Sequence, residues 1–259
     1  MWSGSILKSN AKIALTGRYW RAFLVALAAG AIAGAAEAGS NIQSAVEQYD
    51  SVQSLLYNDY YTRAFFVEIL RGWVVPLLAF GLLLSIFVGN IVQIGSARYF
   101  VQNHFGQTRF GTLFSGFQNG YTNSMAAMLV TNLYIFLWSL LFVFPGIYKS
   151  YQYCMVPYIL SDNPNMPGAR ARTISRMMTD GEKFSIFIFG LSFIGWYLLG
   201  MLCLGVGVLF VNPYYEAARA ELYIFLRDRA IQNGYVRPEE LGLVFAAPGG
   251  ENPFGAPGV

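Results

Sequence analysis

The sequence predicts an all-α, polytopic integral membrane protein of about six helices. Charged residues are absent from three long stretches: 26 residues over 72–97, 39 over 110–148 and 32 over 184–215. A run of about 20 apolar residues is enough for a helix to cross the hydrocarbon core of a bilayer. Hydrophobic residues make up 55% of the 259 positions and charged residues only 12%, about half the charged share of soluble domains.

The predicted spans are placed by charges and by breaks in the apolar pattern. They cover 22–36, 73–92, 124–144, 147–160, 184–204, and a last helix from about 208 or 213 to 230. The third span is expected to end at Pro145-Gly146, because proline removes a helix donor and glycine permits positive φ. The fourth and sixth are weakly hydrophobic, so each is alternatively a re-entrant or interfacial helix. The first has an alternative as a cleaved signal peptide, although its long leader favours a retained helix.

Three blocks of the chain share one plan. Short basic or glycine-punctuated segments at 11–17, 110–116 and 169–175 each precede an apolar span. This predicts three helical hairpins in the same orientation, each preceded by a short interfacial amphipathic helix. The last of these segments is expected to place cations against anionic lipid headgroups; a plain positively charged connector is the alternative. The residues concerned are Arg170, Arg172, Arg176 and Lys183.

Thirteen of the 17 basic residues fall on one side of the six-span arrangement. Lysine and arginine favour cytoplasmic loops, so both termini are predicted to be cytoplasmic and the protein to be multi-pass in the cell membrane. Residues 1–232 are predicted to form a single membrane domain with one large outside loop at 37–71. The Gly/Pro-rich stretch 233–259 is predicted to be a disordered cytoplasmic tail.

Ionisable residues inside a span are costly and are therefore candidates for function. Glu216, Arg219 and Glu221 form the one acidic and basic cluster within a predicted span. Glu216 and Arg219 are three residues apart and can pair on one helix face, so a self-neutralised pair near the interface is the alternative. Further polar residues fall at predicted helix ends or bundle faces, where interhelical hydrogen bonding explains them. They are Asn90, Gln93, Arg98 and Lys149.

Several classes of function are disfavoured. The sequence has no Ser/His/Asp set, HExxH or P-loop, so we expect no enzymatic activity. One histidine, His104, and two separated cysteines, Cys154 and Cys203, give no metal-ligand spacing, so we expect no metal and no cofactor. We expect these cysteines to be buried thiols. A net charge of +3 without a basic run does not favour nucleic acid, which leaves the lipid bilayer as the expected partner.

Two long stretches resemble a known family. They are LYIFLWSLLFVFPGIYKSYQYCMVPYILSDNPN at 133–165 and LSFIGWYLLGMLCLGVGVLFVNPYYEAARAELY at 191–223, supported by QIGSARYFVQN and SRMMTDGEKF. They look like the uncharacterised bacterial integral membrane family called domain of unknown function 975, and the resemblance covers most of 8–230. The family is similar in layout to the membrane portion of some glycerophosphodiester phosphodiesterases. The resemblance implies a membrane module without its own catalytic centre, and it carries over no site residue.

We therefore expect a non-enzymatic membrane module that organises or regulates partners or lipids. The alternative is a small transporter or flippase for a lipid-like or amphipathic peptide substrate. A water-filled or lipid-open groove reaching Glu216, Arg219 and Glu221 would favour the transporter. A tightly packed bundle holding those residues at headgroup depth would favour the module.

Overall fold

The computed structural model describes residues 2–31, 84–106, 109–118, 120–202 and 206–243, together with positions 72, 76, 80 and 81. The chain divides into two compact units, one of Met1–Ala28 with Ile91–Val259 and one of Ala29–Asn90. The predicted loop 37–71 and most of the predicted span 73–92 lie outside the described residues. The packing described below is that of the first unit.

Every regular element in the described ranges is helical, and none of those residues forms a strand, which confirms the predicted all-α class. A π-helical turn, Ser85–Gly89, leads into α3, and 3-10 helices cover Phe110–Phe117 and Pro238–Leu241. The α-helices are α1 (Gly4–Leu15), α2 (Tyr19–Ala31), α3 (Asn90–His104), α4 (Tyr121–Leu141), α5 (Val143–Gln152), α6 (Val156–Asp162), α7 (Gly168–Met178), α8 (Lys183–Leu191), α9 (Ile194–Leu202) and α10 (Val206–Gln232).

Within the described residues, two helical stretches are long and apolar enough to cross a membrane. They are α4, and α8 together with α9 as Lys183–Leu202, and only 22% of the most apolar window of each is buried. Phe144, just after α4, and Leu202, at the end of α9, are 86% and 81% exposed. Two of the predicted spans therefore have the length and composition of a crossing helix within the described part of the chain.

A core of buried apolar side chains forms where α6 and α7 meet the second half of α10. Removing such side chains from water is the main force that stabilises a packed core. Three helices are tied together here, and this core positions the polar residues of α10. Its members include Val156, Ile159, Leu160, Ala171, Ile174, Met178, Ala217, Ala218, Leu222 and Leu226.

In two helical hairpins the helices approach closely at a glycine. The hairpin of α9 with α10 is antiparallel, and a Cβ added to Gly200 would lie 2.7 Å from the backbone nitrogen of Val208. Only a residue without a side chain permits so close an approach of two helices. In the hairpin of α4 with α5, a Cβ on Gly146 would overlap the side chain of Ser139.

The breaks between helices differ from the prediction at two prolines. The helix α4 ends at Leu141, and Phe142 is extended with φ −156° and ψ 147°. Pro145 therefore lies in the first turn of α5, where the missing N–H has no intrahelical acceptor to lose. Pro213 lies inside α10, which begins at Val206, so the alternative that a helix starts at Pro213 is wrong.

The start of α5 and the start of α8 lie side by side. Lys183 Nζ is 5.0 Å from the centre of the Tyr148 ring, and Lys149 Nζ is 5.2 Å from that of Trp138, near the end of α4. In the six-span prediction Tyr148 and Lys183 begin successive spans on opposite faces of a hydrocarbon core about 30 Å thick. Their contact does not fit that arrangement. The end of α4 and the start of α8 therefore lie close together in the structure.

The first helix, α1, packs against α10, and side chains in or just before α1 also reach the start and the end of α8. Trp2 Nε1 donates a hydrogen bond to Glu182 Oε2 (3.1 Å), just before α8, and Lys8 Nζ donates to the Ser192 carbonyl (3.3 Å), between α8 and α9. A short helix thus precedes α2 as predicted. It follows the length of a candidate span, however, whereas an interfacial helix would meet that span at one depth only.

The stretch predicted as a disordered tail begins with folded residues. Val236 and Leu241 are buried, Asn163 Nδ2 donates to the Glu240 carbonyl (2.8 Å), and Arg170 forms an ion pair with Glu240 (3.0 Å). These contacts anchor residues 233–243 to α7 and to the turn after α6. The structure therefore corrects the prediction for 233–243, which are folded, and 244–259 lie outside the described residues.

Candidate functional site

The predicted cluster of Glu216, Arg219 and Glu221 lies on α10, and the structure divides it between two neighbouring helices. Arg219 donates to the Cys154 carbonyl (3.4 Å), and Glu216 Oε2 accepts a long hydrogen bond from the Tyr158 hydroxyl (3.5 Å). Among the described residues, the ion pairs within 4.0 Å do not include Glu216 with Arg219. Both side chains thus contact α6 or the turn before it, residues 153–162, which we call the α6 segment. The expected pairing along one helix face is not formed.

Arg219 is half-buried and lies beside two aromatic rings. Its guanidinium carbon lies 5.8 Å from the centre of the Tyr158 ring and 5.7 Å from that of Tyr215. A guanidinium within about 6 Å of an aromatic centre is attracted by the negative face of the ring, more strongly where water is excluded. The two rings and the Cys154 carbonyl therefore stabilise a positive charge inside the helical packing.

Glu221 faces α3 and is bound to the single histidine of the chain. Its Oε1 lies 2.6 Å from His104 Nδ1, and its side chain is only 4% exposed. A contact this short is typical of a charge-assisted hydrogen bond. Sequence reasoning considered His104 only as a metal ligand. Its partner lies 117 positions away, and no local pattern points to it.

A row of aromatic and charged side chains joins the α6 segment to α10, and sequence analysis did not identify it. Residues four apart lie on the same face of a helix, and the row repeats at that spacing on both sides. We call it the α6–α10 polar row. It consists of Cys154, Tyr158 and Asp162 on one side and Arg219, Tyr223 and Arg227 on the other.

The centre of the α6–α10 polar row is a pair of stacked tyrosines. The ring centres of Tyr158 and Tyr223 are 5.2 Å apart with an interplanar angle of 24°. At one end, Asp162 Oδ2 accepts from the Tyr223 hydroxyl (2.6 Å) and from the Arg227 guanidinium (3.5 Å). Asp162 and Arg227 have side chains that are 4% and 6% exposed. A buried pair of this kind is costly to break, because the remaining partner becomes an uncompensated charge.

A cavity of about 220 Å³ reaches Arg219 from the side of α5 and α8. Its polar lining comes from Arg219, Tyr215, Tyr151 and Ser150, and apolar side chains of α8 close the other wall. Glu216 and Glu221 are not part of its lining. The groove that would favour a transporter therefore meets one of the three residues of the predicted cluster.

The other predicted polar residues are not brought together. Asn90 is buried, Gln93 is exposed and Arg98 is half-buried, all on α3. Arg98 is close enough to Asp162 to interact with its charge. Lys149 lies over the rings of Trp138 and Tyr153 and donates to Gln152 (3.1 Å). These residues lie at separate places and do not line one site.

The basic residues predicted to meet lipid headgroups have mixed surroundings. Arg170 binds Glu240, and this hydrogen bond, with one from the Arg237 backbone N–H, lowers the pKa of the Glu240 carboxyl. Lys183 donates to Asp180 (3.1 Å), which lowers the pKa of that carboxyl. Arg172 lies over the ring of Tyr134 (5.3 Å), and Arg176 is exposed.

The described part of the chain thus defines an all-helical protein with two helices suited to a membrane and a buried polar row between α6 and α10. Residues 140–230 match the model of the family described as "Protein of unknown function (DUF975)". The resemblance predicted from the sequence is confirmed over those residues. The matched segment runs from the end of α4 into the last turns of α10 and contains all six members of the α6–α10 polar row. No curated protein and no solved structure matches the chain.

Proposed function

We propose that this chain is a non-enzymatic, multi-pass membrane protein of the cell membrane that binds and organises lipid. The observation that carries the proposal is the outward-facing apolar surface of α8 and α9 beside a polar interior whose charges are engaged within the protein. Exposed apolar surface on this scale marks an interaction site in a soluble protein and suits contact with lipid chains in a membrane protein. The chain would then act through the lipid that it holds or through partners that read its surface.

The proposed membrane insertion is a hairpin of α8–α9 with the first half of α10. Glu182, before α8, accepts hydrogen bonds from Trp2 (3.1 Å) and from Arg229 in the last turns of α10 (2.6 Å). The N-terminal residues and the end of α10 therefore meet at the same end of α8, which supports termini on one side. The basic residues of 161–183 and 227–243 lie at that end, and the positive-inside rule makes it cytoplasmic.

The other spans of the six-span prediction include α4 and the α5–α6 segment. Under this proposal α4 crosses in the direction opposite to α8–α9, or it lies at the cytoplasmic surface. The α5–α6 segment, broken at Tyr153–Met155, is then a re-entrant element that packs inside the protein. Irregular backbone at membrane depth is tolerated where protein surrounds it.

The charged residues of α10 act as ties between helices under this proposal. Glu221 holds α3 through His104, Arg219 holds the α6 segment, and Arg227 holds Asp162. Each of these charged side chains forms a hydrogen bond or an ion pair with another part of the same chain. This supports a structural role for the cluster that the sequence singled out.

The test is reconstitution of the purified full-length chain into vesicles. We expect the protein to resist alkaline carbonate extraction, to retain lipid during purification, and to leave lipid exchange between leaflets at the rate of protein-free vesicles. Release by carbonate would refute membrane insertion. Complete absence of retained lipid would refute the lipid-binding role.

The second candidate, a transporter or flippase, is favoured by the cavity at Arg219. It predicts that the reconstituted protein accelerates exchange of a fluorescent lipid between leaflets, and that Arg219→Gln abolishes the acceleration. Lys149→Gln is the matched control, because it removes a cation that also lies over aromatic rings but is outside the cavity lining. If Arg219→Gln abolishes the acceleration and Lys149→Gln does not, the transporter function would be supported and the non-transporting module would be refuted.

A further inference from the structure

A groove of about 380 Å³ lies between the end of α1 and the α9–α10 hairpin. One wall is formed by Leu15, Thr16 and Tyr19, and the other by Trp196 and Tyr214, with Lys12 at the rim. The volume falls within the range of ordinary ligand pockets, which is about 300–1,000 Å³. Apolar and aromatic walls with one cationic edge suit an amphipathic ligand.

The groove lies beside the middle of a helix that is apolar enough to span a membrane. Lys8 Nζ binds the carbonyl of Ser192, the tenth residue of the Lys183–Leu202 stretch. At 1.5 Å per residue this position is about 14 Å from Lys183 along the helix axis. If α8–α9 crosses the bilayer, as the proposed function requires, Lys8 lies below the outer edge of a headgroup layer about 5–7 Å thick on each side. The long side chains of Lys8 and Lys12 can reach back to that layer.

The two lysines lack a carboxylate partner among the described residues. Lys8 lies 4.5 Å from the centre of the Phe193 ring and Lys12 lies 5.9 Å from that of Tyr214, and neither occurs in the ion pairs of the described ranges. They are one helical turn apart, so they present two positive charges on one side of α1. An uncompensated cation in a membrane is costly, and an anionic ligand would remove that cost.

We propose that this groove binds an anionic phospholipid, with the phosphate against Lys8 and Lys12 and an acyl chain along Tyr19, Trp196 and Tyr214. The inference rests on the proposed lipid-binding function and names the lipid class and its site. Charge complementarity selects an anionic over a zwitterionic headgroup, and the apolar walls select a lipid over a free phosphate. A basic residue near a membrane surface contributes about a fivefold preference for anionic lipid, so the two lysines together give about thirtyfold.

The experiment measures lipid retained by the purified full-length chain. The protein is equilibrated with vesicles of phosphatidylcholine alone or of phosphatidylcholine with phosphatidylglycerol, and bound lipid is counted by native mass spectrometry. We expect the wild type to retain phosphatidylglycerol preferentially, and Lys8→Gln/Lys12→Gln to lose about thirtyfold of that preference. The double variant Lys8→Arg/Lys12→Arg keeps both charges and should keep the preference, which separates a charge effect from misfolding.

The matched control is Lys149→Gln/Arg237→Gln, which removes one cation from α5 and one from the segment after α10, neither of which lines the groove. It should leave the preference intact. Equal loss in both glutamine pairs would overturn the site, because the effect would then follow total charge. Retention of lipid without any headgroup preference in the wild type would overturn this inference and leave the lipid-binding module standing. Absence of all retained lipid would overturn the module itself.

Discussion

The buried ion pair at the end of the α6–α10 polar row gives the sharpest test of the packing. Asp162→Ala removes the acceptor of both the Tyr223 hydroxyl and the Arg227 guanidinium. Breaking a buried pair by removing one partner costs about 3–5 kcal/mol. The lower end applies here, because the guanidinium is 3.5 Å from Asp162 and its Nε also donates to Asp228 at 3.2 Å. We expect the free energy of unfolding to fall by about 3 kcal/mol.

The measurement is unfolding of the purified chain in mild detergent by added sodium dodecyl sulfate, followed by circular dichroism. Asp162→Asn keeps an acceptor oxygen and should fall between the wild type and Asp162→Ala. The double variant Asp162→Leu/Arg227→Met replaces the pair by apolar side chains and should recover part of the loss, since no buried charge is left unpaired. The Tyr223 hydroxyl still lacks its acceptor in this variant, so full recovery is not expected. Asp180→Ala is the matched control: its carboxylate pairs with Lys183 on an exposed surface, and we expect no measurable change.

One result would refute this reasoning. If Asp162→Ala unfolds at the same detergent concentration as Asp180→Ala, the charges of the α6–α10 polar row do not hold α6 to α10. The row would then have to be explained by contacts made in function and not by stability.

Three further predictions concern the anchored segment, a hairpin and the candidate cluster. Arg170 lowers the pKa of Glu240. The pair should therefore stabilise residues 233–243 at a pH above the ordinary glutamate pKa of about 4.3, and this stabilisation should be lost as the pH falls through the lowered pKa. Hydrogen exchange of this segment should speed up in acid. Gly200→Ala should destabilise the chain by about 1–3 kcal/mol, because the new Cβ would meet the backbone of Val208, as measured by detergent unfolding. Glu221→Cys, at a position 4% exposed, should resist an aqueous maleimide in intact membranes once the native cysteines are replaced.

Each of these predictions has a control and a contradicting outcome. Arg170→Gln should reduce the acid-dependent change in exchange, because the hydrogen bond from the Arg237 backbone still lowers the pKa of Glu240. A change that persists undiminished in that variant would assign it to another group. Gly195→Ala adds a methyl group in open space, so a cost equal to that of Gly200→Ala would rule out the close helix approach. Asp228→Cys replaces a side chain that is 55% exposed; if position 221 reacts as fast as position 228, Glu221 lies in an aqueous pathway.

Local features of the fold could be predicted from the sequence because they depend on nearby residues. The all-α class follows from composition and from charge-free stretches of helical length. The short helices before α2, α4 and α8 follow from segments that break the apolar pattern. The prolines were misjudged for a local reason as well: a rule that treats Pro145 as a stop does not consider that it can open the next helix.

Contacts between distant segments could not be predicted in the same way. The charge count placed Lys149 and Lys183 on opposite faces, since it assumes that each apolar stretch crosses, whereas Lys183 in fact lies against Tyr148. The pair of His104 with Glu221 depends on how α3 packs against α10. The α6–α10 polar row did leave a trace, because its residues recur every fourth position in both segments. A hydropathy average does not detect this repeat, because it scores tyrosine as nearly neutral and cysteine as apolar.

The carboxylate of Glu182 has a consequence for the order of assembly. Its two oxygens accept from Trp2 and from Arg229, residues near the two ends of the described chain. A ribosome makes the N-terminal residues first, at about 5–20 residues per second. The helix α1 therefore emerges many seconds before α8, α9 and α10 exist, and its contacts with Ser192 and Tyr214 form before Arg229 is made. Arg229 is the last donor to reach Glu182, so truncation before Arg229 should leave one oxygen of that carboxylate without its donor while α1 stays docked.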